Sequence, residues 1–168
     1  MNNKNKNDVE VEIRTATIDD LADIFHLGEI VFTSQEVSNL YRTWDEYEVT
    51  HLYNSEAEYM LVAIVDDVLV GFALGTTIEK NRSAWNYGHL LWLGGDPDYG
   101  RLGVASQLFE RFKELMVEAN VRMLLVDTQA DNDGAIRFFH KKGFTNPVDH
   151  VYMTMKLRNK SNKGSRNS

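Results

Sequence analysis

No cysteine occurs among the 168 residues, so disulfides and thiolate zinc sites are excluded and a reducing cytoplasm is the expected location. No apolar run approaches the roughly 20 residues that cross a bilayer, so no membrane role is expected. The opening MNNKNKND has no apolar stretch behind it, which argues against a cleaved signal. The five histidines show no convincing metal spacing, so no metal is expected. Cations are scarce where they would matter for nucleic acid. Residues 159–168 carry three and no acid, and residues 1–8 carry Lys4 and Lys6 against Asp8. The body from 9 to 158 therefore holds −11, while the whole chain is −7. Phosphate binding needs concentrated Lys and Arg, so nucleic acid is not the expected partner. A cationic amine suits an acidic body, although most acidic proteins are acidic only for solubility.

What is present is ordinary for a soluble domain, at 43% hydrophobic and 26% charged. The length is enough to bury a core without staples. Residues 1–8 and 159–168 read as disordered ends around one domain over 9–158. Val9 to Thr15 alternates as a half-exposed strand, and Thr17 with Asp19 and Asp20 starts a helix. Apolar residues from Leu40 to Leu52 predict a second helix over about Ser38–Leu52. Tyr59–Val65 and Val68–Ile78 form a hairpin across Asp66-Asp67. Trp85–Leu93 is a further strand. Apolar residues at 104, 105, 108, 109, 112, 115, 116 and 119 mark one face of a long helix. Val121–Asp127 reads as a buried strand, Asp133–Lys142 as a helix closed by Gly143, and Val151–Leu157 as a final strand. The fold class is α/β or α+β: a single mixed sheet, antiparallel in its first half, flanked by helices.

The segment from Leu90 to Leu108, LLWLGGDPDYGRLGVASQL, ends a strand in a glycine-rich turn and opens a helix at once. Unpaired N–H groups and the helix dipole make such a junction an anion site. Gly100 and Gly103 leave the backbone open to a phosphate, and Arg101 adds a formal charge. A P-loop is not supported, because Arg101 stands for its Lys and Leu102 for its hydroxyl residue. Taken alone, the glycines also fit a tight turn with no ligand.

Some thirty residues on comes Asn132-Asp-Gly-Ala135-Ile-Arg-Phe138-Phe139-His-Lys-Lys-Gly143-Phe144. The two segments together resemble the GNAT N-acyltransferases, whose pattern is V-x-P-x-x-R/Q-x-x-G-x-G/A followed by N-x-x-A-x-x-F-Y-x-x-x-G-F. Pro97, Gly103 and Ala105 match the first block. Asn132, Ala135, Phe138, Gly143 and Phe144 match the second. The opening from Ile13 to Leu21 is similar to the family's first strand and helix, so the resemblance spans about 9–158. Gly100 stands where the family has Arg or Gln, with Arg101 beside it, and Gly95 where it has Val. Phe139 replaces a Tyr that often protonates the departing thiolate.

The resemblance implies acetyl-CoA as co-substrate and a primary amine as acceptor, a protein N-terminus, a lysine or a small molecule. It implies that the fourth and fifth strands splay, with pantetheine lying between them. Backbone groups of Leu93 and Gly95 would pair with its amides. The N–H groups of Arg101, Leu102, Gly103, Val104, Ala105 and Ser106 would hold the pyrophosphate. Asn132 would bind the pantetheine arm, with Ala135 and Phe138 lining the far wall. Two residues compete as base. His89 brings an imidazole, a group suited to base catalysis, and lies where several members place a Glu or His; it shares a strand face with Trp85 and Tyr87. Asp127 lies where others place a Glu, yet a carboxylate ending a strand is often a turn former. With Phe139 lacking a proton, Tyr87 or Tyr152 is left as acid, or the thiolate leaves unaided. His140 and His150 are expected on the surface. The aromatics and acids from Phe32 to Glu48 fall where the family forms its acceptor site, although core packing explains most of the aromatics. Many members are dimers, for which an edge at Val151–Leu157 is a candidate interface. A CoA-binding sensor without turnover and a transferase of longer acyl groups are the alternatives.

Overall fold

Asp66 and Asp67, both in the left-handed region at φ 48° and 63°, set the first register of the sheet. A two-residue turn of this type matches the twist of the strands it joins, and aspartate tolerates the conformation. It connects β2 (Met60–Val65) to β3 (Val68–Glu79), with Val65 opposite Val68. The computed structural model describes residues 9–33, 44–79, 86–151, 153 and 155–157. These fall into two units divided between Gln129 and Ala130.

In the first unit, β1 (Glu12–Thr15), β2, β3 and β4 (Asn86–Gly95) pair antiparallel in chain order, and β5 (Met123–Val126) adds in parallel to β4. The helix α3 (Val104–Glu118) lies along one face. Its Val104, Leu108, Phe112 and Met116 recur every four residues, and three sheet glycines receive them. A Cβ on Gly71 would stand 2.5 Å from Val104, one on Gly75 would overlap Phe112, and one on Gly88 would stand 2.6 Å from the Met116 sulfur. The absence of side chains there lets the helix sit close to the strands.

The opposite face carries α1 (Leu21–Thr33) and α2 (Glu46–Glu56). Ile24, Leu27, Val49 and Leu52 are buried there with Met60, Val62, Phe72 and Leu74. Trp44 is the centre of this layer. Its ring stacks on Phe72 at 5.2 Å and meets Phe32 and Trp92 at 5.2 and 5.1 Å, and its Nε1–H donates to the Phe25 carbonyl at 3.0 Å. A Cβ on Gly28 would overlap this indole.

Register along β3 and β4 shifts once. Leu74 faces Trp92 but Gly75 faces Leu90, so Leu91 is an extra residue on β4. Such a bulge re-aims the side chains beyond it. Gly88 accordingly contacts Met116 of α3, whereas Gly94 contacts Phe72 and Phe32 on the α1 side.

The second unit holds α4 (Asp133–Lys141), which Asn132 caps by accepting the Ala135 N–H at 3.1 Å. Gly143 ends it at φ 101°.

Three expectations are corrected. The second helix does not reach back from Leu52 to Ser38: residues 38–43 lie outside those described, Trp44 is not helical, and α2 starts after Asp45, whose carboxylate accepts the Glu48 N–H at 2.8 Å. Val121–Asp127 is not a buried strand. Only Met123–Val126 is extended, and Met123 and Leu125 are 43% and 37% exposed because β5 is the outermost strand of the sheet. No strand occurs among the described residues of 151–157, where Val151, Met153, Met155 and Leu157 are all exposed. The described residues there thus form no strand edge of the kind expected for a dimer contact.

The start of α1 is tied to β1 by a buried ion pair. Arg14 donates to both Asp20 oxygens at 2.7 and 2.9 Å. That bond, helped by the Thr17 N–H and hydroxyl, holds the Asp20 carboxyl at about 2 against the opposing effect of burial. The unfolded value is about 3.9, so the stabilisation is present above pH 4 and lost as pH falls towards 2. Asp20→Asn is expected to cost about 1–2 kcal/mol at pH 7, allowing for solvent at the Arg14 end. In urea unfolding, the gap from wild type should narrow between pH 4 and pH 2; a constant gap would contradict the assignment.

Candidate active site

Parallel pairing of β4 with β5 runs only from Tyr87–Met123 to Leu90–Val126. β4 continues to Gly95 on the far side of this point, still paired with β3: Leu93 faces Ala73 and Gly95 faces Gly71. β5 itself ends at Val126, so Leu93 and Gly95 have no β5 partner. A strand edge left unpaired in this way offers its amides to an extended ligand.

At the open end of β4 the chain turns sharply. The Asp96 N–H donates to the Val70 carbonyl at 2.8 Å, and the Asp96 side chain accepts from the Asp98 N–H at 2.9 Å. Pro97 opens a 3-10 turn through Leu102, and Gly103 enters the left-handed region at φ 67° before α3 begins. Gly103 has no side chain with which to cap the helix. Its own N–H is engaged with the Gly100 carbonyl at 3.2 Å, and the first turn closes only where Gln107 donates to the Gly103 carbonyl at 3.0 Å. Of the six N–H groups from Arg101 to Ser106, those of Val104, Ala105 and Ser106 are therefore the ones at the uncapped start of α3. A Cβ at Gly100 or Gly103 would meet nothing within 4 Å, so the approach is open. The first turn of α3 holds no acid, and Arg101 is exposed beside it. The dipole of a 15-residue helix favours an anion at this end.

Both candidate bases stand where β4 and β5 are paired. His89 is paired with Thr76 on one side and Leu125 on the other. Asp127 lies two residues beyond Leu125 and so continues on its face. His89 Nε2 and Asp127 Oδ1 are 2.7 Å apart, with the imidazole 20% and the carboxylate 40% exposed. The two residues that looked like rivals in sequence are hydrogen-bonded partners. Tyr87 lies on the same face of β4, while Trp85 and Tyr152 lie outside the described residues.

Sequence reasoning missed what surrounds His89. Glu56, at the end of α2, accepts the Thr76 hydroxyl at 2.6 Å and the Thr77 N–H at 3.0 Å. Glu48, two turns earlier, accepts the Trp92 indole N–H at 3.1 Å. Their spacing of eight, with buried Leu52 midway, places both on the α2 face turned to the sheet. That four-residue rhythm was the available signal. Trp44 is buried as core, in line with the packing reading of the aromatics, whereas Tyr47 is 75% exposed.

In the second unit, Asn132 spends its carbonyl oxygen on the α4 cap, which leaves its amide N–H groups for a ligand. Ala135 and Phe138 are half-buried. Phe139 packs between Phe138 and Phe144 at 5.3 and 5.4 Å, so its ring serves packing. His140 and His150 are exposed as expected.

Unpaired N–H groups at one end of an open strand edge, and a proton acceptor at the other, suit group transfer from an extended, phosphorylated co-substrate. The model of the acetyltransferase (GNAT) family matches residues 26–144, and the chain belongs to that family. An acetyltransferase of Yersinia pestis (strain Pestoides F) is 28% identical over 133 residues, covering 78% of this chain and 85% of the relative. The NatC complex bound to Gag peptide and CoA contains a chain that superposes with a TM-score of 0.70 at 17% identity, over 83% of this chain and 87% of that one. An aminoglycoside N-acetyltransferase in complex with CoA superposes with a TM-score of 0.70 at 16% identity, over 90% and 99%. The shared fold includes the open mixed sheet with its flanking helices.

Ser106→Asp is expected to separate the anion site from stability. A carboxylate in the first turn favours the helix by a few tenths of a kcal/mol but repels phosphate. Calorimetry should show CoA affinity falling at least ~10-fold with the melting temperature unchanged or raised. Unaltered affinity would place the pyrophosphate elsewhere.

Proposed function

We propose that this protein moves the acetyl group of acetyl-CoA to a primary amine by direct attack in a ternary complex, with His89 as the base. The observation that carries this reading is the position of His89 beside Asp127, next to the last β4–β5 pair. In this reading the unpaired edge of β4 at Leu93 and Gly95 takes the pantetheine amides, and Val104, Ala105 and Ser106 at the start of α3 take the pyrophosphate. Arg101 and Leu102 flank that contact. Asn132, Ala135 and Phe138 are assigned to the same co-substrate by the family pattern alone.

Aminolysis of a thioester needs a neutral amine, whose pKa near 10 leaves it mostly protonated at pH 7. The neutral fraction of the amine, its ammonium proton having gone to solvent, is the nucleophile. Its nitrogen forms a bond to the thioester carbonyl carbon, His89 takes up the proton this nitrogen sheds as the amide forms, and the C–S bond breaks with its electron pair going to sulfur. Phe139 has no proton to offer, so sulfur departs as thiolate, an acceptable leaving group at a thiol pKa near 8.5. Holding both reactants in one cleft supplies a large part of the acceleration.

The acceptor approaches on the α2 side, where His89 points and where Glu48 and Glu56 make the surroundings acidic. Both peptide and aminoglycoside chemistry are represented among the fold's neighbours, and both offer primary amines. A chain without cysteine suits a reducing cytoplasm.

Thiol release from acetyl-CoA, followed across a panel of amines and amine-bearing peptides, tests the reading. His89→Ala should lower kcat by about 10²-fold or more with CoA affinity intact. Full activity in that variant would remove His89 from the mechanism. CoA binding without thiol release from any amine would leave a non-catalytic CoA-binding module.

A further inference from the structure

We infer that Asp127 is a positioning residue, which fixes the tautomer of His89 so that Nδ1, and not Nε2, is the atom that takes the amine proton. The inference rests on the acyl-transfer reading for its consequence but on the geometry of the pair for its content.

A carboxylate accepts hydrogen bonds and does not donate them. The 2.7 Å approach of Asp127 Oδ1 to His89 Nε2 therefore requires the proton of the neutral imidazole to sit on Nε2. The ring's one remaining lone pair is then on Nδ1, which has no hydrogen-bond partner among the described residues. Backbone pairing fixes the other coordinates of the pair. His89 is clamped in β4 between Thr76 and Leu125, and Asp127 leaves β5 two residues past Leu125. The last β4–β5 pair, Leu90 with Val126, lies one residue beyond His89. The carboxylate thus holds the ring by Nε2 and leaves Nδ1 for the acceptor.

Starting from the neutral amine, the proton balance closes within the pair and its substrate. The amine gives one proton to Nδ1 and the imidazole becomes imidazolium. Asp127 stays ionised throughout, and its charge stabilises the cation that forms beside it. The same carboxylate would serve less well as the base itself, because Oδ1 already accepts a ring N–H and carboxylates as a class are weaker bases than imidazole.

Two measurements test this on the full-length chain. The first is the two-bond ¹H–¹⁵N correlation of the His89 ring, recorded where the imidazole is neutral and without any substrate. Wild type should show a protonated Nε2 and a bare Nδ1, and Asp127→Ala should show a mixture of tautomers. A bare Nε2 in wild type would overturn the inference. The second is a double-mutant cycle on kcat for thiol release. Asp127→Ala should lower kcat by roughly 10²-fold in the wild-type background, yet by less than about twofold once His89 is Ala, since residues acting as one unit are not additive. A loss on Asp127→Ala that persists undiminished without His89 would make Asp127 the base and sink the proposal. Should wild type release no thiol at all, the acyl-transfer reading fails, and the ring spectrum alone decides the role of the pair.

Discussion

Leu91, the extra residue of β4, is the constraint on which the site depends. In an unbroken strand, alternate side chains keep to one face, so His89 and Trp92 would point in opposite directions. The bulge cancels that parity. His89 lies across from Thr76, whose hydroxyl is bound by Glu56 of α2, and Trp92 donates to Glu48 of the same helix. Both side chains therefore face α2, while Gly88 remains available to α3. The same irregularity lies next to the last β4–β5 pair at Leu90 and Val126. One inserted residue thus accompanies both the turning of the histidine and the end of the β4–β5 pairing.

The two faces of the sheet are held differently. On the α3 side, three glycines bring helix and strands close, and the contact is a row of aliphatic and aromatic side chains at four-residue intervals. On the other side the contact is a few large rings around Trp44, supplemented by polar bonds from α2 carboxylates to β3 and β4. Rings with one indole donor and carboxylates with fixed partners specify geometry more narrowly than aliphatic packing does. The face that carries His89 is the one so specified.

Much of this was legible in the residues. Asp66-Asp67 marked the hairpin, the apolar series from 104 marked α3, and Gly143 marked the end of α4, because each is a local signal read within a few residues. The start of α2 misled, since the apolar spacing continues back through Leu40 and Tyr41. The stronger signal was Asp45 followed three residues later by Glu48, a helix-start pattern. The strand at 121–127 was read as buried from its apolar content, but burial depends on what lies beside a strand, and β5 is outermost. His89 and Asp127 were both picked out, yet as competitors. They are 38 residues apart, and only the parallel register of β4 with β5 brings them together. No periodicity in the chain encodes that register.

The bare start of α3 has a consequence for the protein's life in a cell. A helix that begins on a left-handed glycine forgoes a side-chain cap at a cost of about a few tenths of a kcal/mol, and leaves the three amides at Val104, Ala105 and Ser106 open to an outside acceptor. An anion that settles there would complete the helix as well as fill the site. Occupancy and folding are then linked: a ligand at a hundred times its Kd adds about 2.7 kcal/mol to the native state. Any ligand bound there would in the same measure protect the chain from unfolding and proteolysis.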